Sequence, residues 1–259
     1  MAETTEDQLL GRSARSTICV LFEQLKKRRR LLLWLAVLGL LLGWSLTWAL
    51  DSPSRPVLAE RDDIRAAAVH ISGVACGQFS EGGGFAVESG LVLTSAHVVA
   101  GVGEIKVGAP DGTSGLGVLV GFDPDRDVAA ISVSDLGLSP VAMAPAVAAE
   151  GDEGDVGTVD RDTGLEFVPY RVLRRIPASG VNIYEEEAEN RYLLEVRSLL
   201  AAGDSGAALV NVDGEVVGMV YAVARGQRDQ AYALDRNEIV DFLAEIDRSP
   251  LPIPPCHSL

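Results

Sequence analysis

Short apolar runs separated by turn residues occupy most of the chain after residue 65. They are short and rich in Val, Ala, Leu and Ile, which is typical of β-strands. The runs are AAAVHIS (66–72), GGFAV (83–87), LVLTS (91–95), EIKV (104–107), LGVLVGF (116–122), DVAAISV (127–133), VGTV (156–159), EFVPYRVLRRI (166–176), GVNIYE (180–185), YLLEV (192–196), AALVNVDG (207–214), EVVGMVYAVA (215–224) and QAYAL (230–234). About thirteen strands in roughly 170 residues predict an all-β fold, either a barrel or a sandwich.

One later segment, residues 235–248, has helical periodicity instead. Its apolar residues at helical spacing are Ile239, Phe242, Leu243 and Ile246. Asp235 and Glu238 stand three residues apart before this pattern, which predicts a capping box at the helix start. The segment SPLPIPP that follows predicts the end of the helix.

A continuous apolar stretch covers residues 31–50 and contains no charged residue. A helix of this length reaches about 30 Å, the thickness of the hydrocarbon core of a bilayer. Trp34, Trp44 and Trp48 lie toward its ends, where interfacial indoles are common. The five cations at 26–30 precede the stretch and predict that residues 1–30 stay in the cytoplasm, with the rest of the chain outside.

The alternative is a cleaved signal peptide, with VLA at 57–59 as the cleavage site, although the apolar stretch is longer than a usual signal-peptide core. In either case the domain that follows is exported. The predicted segments are a cytoplasmic tail (1–30), a transmembrane signal-anchor helix (31–50), a polar linker (51–63), a folded domain (64–248) and a C-terminal tail (249–259).

The charge is unevenly distributed. The chain has a formal net charge of −15, yet residues 1–30 hold seven Lys or Arg against four Asp or Glu. The body of the chain is therefore acidic, which argues against nucleic acid as a partner. We interpret the acidity as a solvated surface.

The cysteines agree with export. Cys19 falls on the cytoplasmic side, whereas Cys76 and Cys256 both fall outside, where disulfides persist. A Cys76–Cys256 disulfide would tie the tail to the start of the domain, and the alternative is two unpaired thiols.

Three residue types that together support nucleophilic catalysis occur in the order His, Asp, Ser. His97 lies between an apolar strand end and a glycine turn, Asp127 directly precedes an apolar run, and Ser205 lies in GDSG. A serine hydroxyl needs a base within hydrogen-bond reach, and that base needs an acceptor that fixes its tautomer. Asp123 and Asp125 are expected in a solvated turn, so Asp127 is the better acceptor.

The glycines that flank Ser205 allow a sharp turn whose amides can converge on an oxyanion. The Gly203 and Ser205 amides are the candidates. Asp204 could form a buried ion pair that holds this turn, with a partner that the sequence does not identify.

The segments TSAHVVAG (94–101), DVAAISV (127–133) and GDSGAALVN (203–211) resemble those of the chymotrypsin-like (trypsin-fold) serine proteases. The chain is most similar to the membrane-anchored actinobacterial periplasmic proteases of the acid-resistance type, and more distantly to the HtrA-type protease domain. The resemblance covers residues 64–248. It implies two six-stranded antiparallel β-barrels with the active site in the cleft between them.

The resemblance also implies roles for individual residues. His97 is the general base, Asp127 orients it, Ser205 is the nucleophile, and the backbone of residues 203–205 forms the oxyanion hole. A disulfide at the same two places in the family matches Cys76 and Cys256. No metal or cofactor is implied.

Further implied positions form the substrate pocket, with Leu199 at its base and Gly218, Met219 and Val220 in one wall. An aliphatic base predicts small or medium apolar residues at P1. The family motif GDSGG is GDSGA here, and Ala207 is expected to have a small effect.

The sequence therefore favours a membrane-anchored extracytoplasmic serine endopeptidase that acts on proteins or peptides of the cell envelope. The alternatives are a latent or inactive binding or sensing module on a protease fold, and an esterase with the same three residues. An α/β-hydrolase is disfavoured, because Ser205 lacks the GxSxG motif and the order of the three residues differs.

Overall fold

The computed structural model describes residues 61–134, 136–160 and 164–257 of the chain. Twelve strands and three helices are found in these ranges. The strands are β1 (Ala68–Ala75), β2 (Gln78–Glu88), β3 (Leu91–Thr94), β4 (Ile105–Gly108), β5 (Ser114–Asp123), β6 (Val128–Val133), β7 (Glu153–Asp160), β8 (Gly164–Val181), β9 (Glu187–Ser198), β10 (Ala208–Asn211), β11 (Val216–Val223) and β12 (Gln230–Asp235). The helices are α1 (Arg61–Ala67), α2 (Ala96–Val99) and α3 (Arg236–Glu245).

The strands form two closed barrels, each made of six antiparallel strands. The order is β1-β2-β3-β6-β5-β4 in the first barrel and β10-β11-β12-β9-β8-β7 in the second. Closure leaves no unpaired sheet edge, and the alternating side chains point into each barrel to form its core. The all-β prediction with two six-stranded barrels is therefore confirmed.

The predicted strands differ from the observed ones in a few places. The runs predicted over 166–176 and 180–185 were expected as separate strands, but β8 continues unbroken to Val181 and is followed by a turn. Helix α1 begins at Arg61, within the last residues of the segment predicted as a linker. This helix buries Ile64 and Ala67 completely, which explains why it packs on the domain.

Helix α3 confirms the predicted helix but corrects its cap. Asp235 is the N-cap residue, and its side chain accepts a hydrogen bond from the amide of Asn237 at 2.8 Å. Glu238 does not complete a capping box, because its carboxylate accepts from Arg126 and from the amide of Tyr192. The helix therefore contributes an acidic side chain to the turn that precedes β6.

The predicted transmembrane segment, residues 31–50, lies outside the described residues, as does most of the predicted linker. Among the helices that the structure describes, none is long and apolar enough to span a bilayer.

Candidate active site

The pairing of β3 with β6 brings His97 and Asp127 together. Thr94, the last residue of β3, is opposite Ala129 in this antiparallel pair. Residues that follow β3 therefore lie beside residues that precede β6. His97 belongs to the single turn of α2 that follows β3, and Asp127 is the residue directly before β6.

The Asp127 carboxylate binds His97 at two points. Its Oδ2 lies 2.7 Å from Nδ1 of the imidazole, and its Oδ1 accepts from the His97 amide at 2.9 Å. Because a carboxylate oxygen accepts, Nδ1 carries the hydrogen and Nε2 retains its lone pair. The arrangement orients the ring and selects the tautomer that can act as a base.

Asp127 is 4% exposed and has a φ of +57°, in the left-handed region. This region is unfavourable for most residues, although Asp tolerates it better than residues without a short polar side chain. Burial lowers the pKa of His97, whereas the charge of Asp127 and the hydrogen bond to it raise it. The net result is a pKa of His97 above its ordinary value.

The turn that presents Asp127 is held by Arg126. Its guanidinium forms ion pairs with Asp123 of the same turn and with Glu238 and Glu245 of helix α3. Asn182 lies in the turn between β8 and β9, and its side-chain Nδ2 donates to Asp125 Oδ1 at 2.9 Å. The expectation of a solvated turn is therefore wrong, because these aspartates are partly buried and engaged by both neighbouring segments.

Ser205 lies in the loop before β10, which rests against strand β2 of the first barrel. The amide of Gly83 donates to the Ser205 carbonyl at 2.8 Å. A side chain on Gly82 would place its Cβ 2.8 Å from the same carbonyl oxygen. Consecutive glycines at 82–84 thus permit the backbone of the Ser205 loop to approach β2 closely.

Gly206 fixes the direction in which the chain leaves Ser205. Its φ is +88°, and a Cβ there would lie 2.6 Å from Thr94 Oγ1 and 2.9 Å from the amide nitrogen of Ser95. Only glycine fits this position. The same contact places the residue after Ser205 against the segment that leads into α2.

Ala207 replaces the last glycine of the family motif GDSGG. Its methyl group fits because the facing residue, Gly83, has no side chain. Ala207 is completely buried, its amide donates to the Asp204 carbonyl, and its carbonyl accepts from Val220. A Cβ on Gly83 would lie 3.0 Å from the Cβ of Ala207 and 3.1 Å from its amide nitrogen. The Gly83 position therefore provides the room that Ala207 uses.

The predicted oxyanion amides are those of Gly203 and Ser205. Within the described residues, neither amide is hydrogen-bonded to a protein acceptor, whereas the neighbouring amides of Asp204 and Ala207 donate within the turn. Gly203 has a φ of +102°. Within these residues, neither amide is therefore committed to another acceptor.

Asp204 holds this turn without the ion pair that the sequence suggested. Its Oδ2 accepts from the amide of Ala201 at 2.7 Å, and it makes no ion pair within the described part of the chain. Burial raises the pKa of the Asp204 carboxyl; the bond from Ala201 opposes this, and the charges of Glu166 and Asp160 add to it.

Similarity to known proteins identifies the family to which this arrangement belongs. The trypsin-like peptidase domain matches residues 82–219, more than half of the chain. The chain belongs to the trypsin-like peptidase family. The serine protease Rv3671c of Mycobacterium tuberculosis is 33% identical over 174 residues, which cover 66% of this chain and 43% of that protein.

A second related protein and a solved structure also resemble the chain. The periplasmic serine endoprotease DegP of Escherichia coli is 32% identical over 138 residues, or 52% of this chain and 28% of that protein. The crystal structure of the active form of the Rv3671c protease from M. tuberculosis has a TM-score of 0.74 at 29% identity, covering 80% of this chain and 94% of that chain. The matched part of the chain spans less than half the length of the Rv3671c and DegP proteins.

The predicted pocket residues of this trypsin-like peptidase lie in different environments. Leu199 follows β9 and is 74% exposed, so it is not a core residue. The side chains of Met219 and Val220 are completely buried in the hydrophobic core. The Val220 carbonyl accepts from Gly206 and from the Ser95 hydroxyl, so this part of β11 supports the Ser205 loop. A pocket wall here would consist of main chain, including that of Gly218.

Cys76 and Cys256 form the predicted disulfide, across 180 residues of sequence. Cys76 lies in the turn between β1 and β2, and the disulfide fastens the C-terminal tail to the first barrel. A Cβ on Gly101, just after α2, would lie within 3.1 Å of both sulfur atoms. The disulfide is therefore packed against the end of the helix that carries His97.

Sequence reasoning missed the support for the Ser205 loop and the role of Arg126. The glycine run at 82–84 inside an apolar strand was the available signal, because strand glycines often mark a close approach of another backbone. No local signal relates Arg126 to Glu238, since 112 residues separate them.

Replacing Gly83 by Ala should test the fit between Gly83 and Ala207. The new methyl group would be overpacked against Ala207, so we expect the free energy of unfolding to fall by about 1–3 kcal/mol. Combining G83A with A207G removes the contact between the two methyl groups and should recover part of the loss. Urea denaturation of the four proteins of this cycle measures the coupling, and strictly additive effects would contradict the account.

Replacing Asp204 by Asn should stabilise the protein near neutral pH. The raised pKa means that charged Asp204 disfavours the folded state above that pKa, and this cost disappears as pH falls below the unfolded pKa. The Asn oxygen can still accept from Ala201. The melting temperature of D204N should therefore exceed that of wild type at about pH 7 and converge toward it near pH 4. A lower melting temperature at pH 7 would refute this.

Proposed function

We propose that the chain is a serine endopeptidase in which Ser205 is the nucleophile, His97 the general base and Asp127 the residue that orients the base. The observation that carries the proposal is the pair of hydrogen bonds that His97 donates to Asp127, from its main-chain amide and from Nδ1, which leaves the lone pair of Nε2 to accept a proton. The approach of the Ser205 loop to β2 and to the segment before α2 supports it, as does membership of the trypsin-like peptidase family.

The proposed reaction begins with attack of the Ser205 hydroxyl on the substrate carbonyl while His97 Nε2 takes its proton. The amides of Gly203 and Ser205 stabilise the oxyanion of the tetrahedral intermediate. The imidazolium, stabilised by buried Asp127, then gives its proton to the leaving amine, and an acyl-enzyme remains on Ser205. Water, activated by His97, releases the acyl group in a second round.

The proposed substrates are proteins or peptides of the cell envelope, cleaved after small or medium apolar residues. Leu199 supports the apolar preference, because its aliphatic side chain is 74% exposed and it lies six residues before Ser205 in the sequence. No acidic side chain is predicted at the pocket base to pair with Lys or Arg.

We further propose that residues 31–50 anchor the enzyme in the membrane, with residues 1–30 in the cytoplasm and the peptidase domain outside. The cations at 26–30 and the three Trp residues of the apolar stretch support this topology. The Cys76–Cys256 disulfide also supports an oxidising, extracytoplasmic environment for the domain. This location would give the enzyme access to envelope proteins.

The second candidate is a latent or inactive module on the same fold, favoured by Ala207 in place of the motif glycine. Accommodation of Ala207 opposite Gly83, with its amide and carbonyl both hydrogen-bonded, weakens this alternative. It remains distinguishable by experiment.

A fluorophosphonate probe should label wild-type protein on Ser205. S205A should abolish labelling and peptide hydrolysis, and H97A or D127N should lower kcat/KM by about 10⁴-fold. Exposed Ser132 of β6 provides a matched control, and S132A should label like wild type. Intact mass and peptide mapping locate the probe.

Absence of labelling in folded, disulfide-bonded wild type would favour the latent module. Labelling accompanied by hydrolysis of esters but not of peptides would favour the esterase.

The membrane topology predicts that a fusion of alkaline phosphatase after residue 63 is active and remains in the membrane fraction. Deleting residues 31–50 should abolish phosphatase activity, because export would be lost while the cations remain. A soluble, processed fusion would show a cleaved signal peptide instead. An inactive fusion with an intact anchor would contradict the topology.

A further inference from the structure

Helix α2 ends in a type II turn over residues 99–102. Ala100 is extended, with φ −62° and ψ 120°, and Gly101 has a φ of +76°. The Val102 amide closes the turn by donating to the Val99 carbonyl at 3.1 Å. In this turn the Gly101 amide does not donate to the His97 carbonyl, so both groups need partners from elsewhere.

The C-terminal tail provides a partner for each of these two groups. The Gly101 amide donates to the Pro254 carbonyl at 3.1 Å. Nε2 of His257 lies 3.0 Å from the His97 carbonyl oxygen. Because a carbonyl oxygen only accepts, Nε2 of His257 is the donor in this contact. The tail thus supplies an acceptor to one end group of α2 and a donor to the other.

Several contacts hold the tail where His257 can reach α2. The Leu251 amide donates to the Leu119 carbonyl at 2.8 Å, and the Tyr184 hydroxyl donates to the Pro255 carbonyl at 3.0 Å. The residue directly before His257 is Cys256, which is joined to Cys76. His257 is therefore presented by a segment that is anchored on the first barrel and on the β8–β9 turn.

The main chain of His97 is consequently held from both sides by distant side chains. Asp127 accepts from its amide, and His257 donates to its carbonyl. The two imidazole rings also meet edge to face, with centroids 6.1 Å apart and an interplanar angle of 75°. A one-turn helix has few internal hydrogen bonds with which to keep its backbone in place.

We propose that His257 is a positioning residue for His97: its donor fixes the His97 carbonyl and thereby the orientation of the base. This proposal rests on the proposed function, in which His97 is the general base. His257 acts through the backbone of His97 and not on the substrate. The C-terminal tail then helps to position the base without contacting the substrate.

The test compares two variants. H257L replaces the imidazole by an aliphatic side chain that cannot donate a hydrogen bond, whereas H257Q has a side-chain amide nitrogen that can donate in place of Nε2. Both are made in the full-length chain, purified in detergent. One net hydrogen bond corresponds to about a five- to tenfold effect, so we expect kcat of H257L to fall by that factor with KM unchanged. H257Q should recover at least about half of the wild-type kcat.

A second readout does not depend on catalysis. The Nδ1 proton of His97, hydrogen-bonded to Asp127, should give a low-field proton resonance in histidine-labelled protein. We expect this resonance to shift or broaden in H257L and to return in H257Q. H70L is the control, because His70 is also a partly buried histidine of the first barrel but lies on β1. It should leave both readouts unchanged.

Wild-type kinetics and resonance in H257L would overturn the proposal. Equal losses in H257L and H257Q would also overturn it, because they would show that the donor is not what matters. If wild type neither hydrolyses peptides nor reacts with a fluorophosphonate, the proposed function fails, and the resonance still decides whether His257 positions His97.

Discussion

The two hydrogen bonds that His97 donates to the Asp127 carboxylate constrain much of the site around them. One orients the imidazole and the other holds the backbone of the turn that carries it. Both oxygens can reach only because Asp127 has a left-handed backbone directly before β6, and because the β3–β6 register places α2 beside it. Arg126 holds the same turn from outside through three carboxylates.

The second constraint is the close approach of the Ser205 loop to the first barrel. This approach needs small residues on both sides: the glycines at 82–84 on β2, and Gly206 and Ala207 after Ser205. The unusual alanine of the motif is compatible with the fold because the residue opposite it has no side chain. The loop is then tied to β2 by Gly83 and to β11 by Val220.

Much of this arrangement was predictable from local sequence patterns. Short apolar runs and glycine turns predicted the strands, and the segments around His97, Asp127 and Ser205 carried the family resemblance. The end of β8 and the start of α1 were not predictable from local sequence. Tertiary packing determines whether the segment between two apolar runs continues a strand, as in β8, and whether the polar residues before a run begin a helix, as in α1. Arg126 with Glu238, and His257 with His97, are contacts between residues more than 100 positions apart, and no local propensity encodes them.

The central claim is that Ser205 and His97 act on one substrate carbonyl. An apolar peptidyl chloromethyl ketone tests this directly, because an active-site serine adds to the ketone while Nε2 of the adjacent histidine displaces chloride. The hemiketal on Ser205 holds the ketone beside His97 but reverses when the protein is denatured, so the stable mark is the alkylated imidazole. Tandem mass spectrometry of the treated protein should therefore find the inhibitor on Nε2 of His97 in wild type and little modification of His97 in S205A. No alkylation of His97, or equal alkylation of His97 in wild type and S205A, would contradict the account.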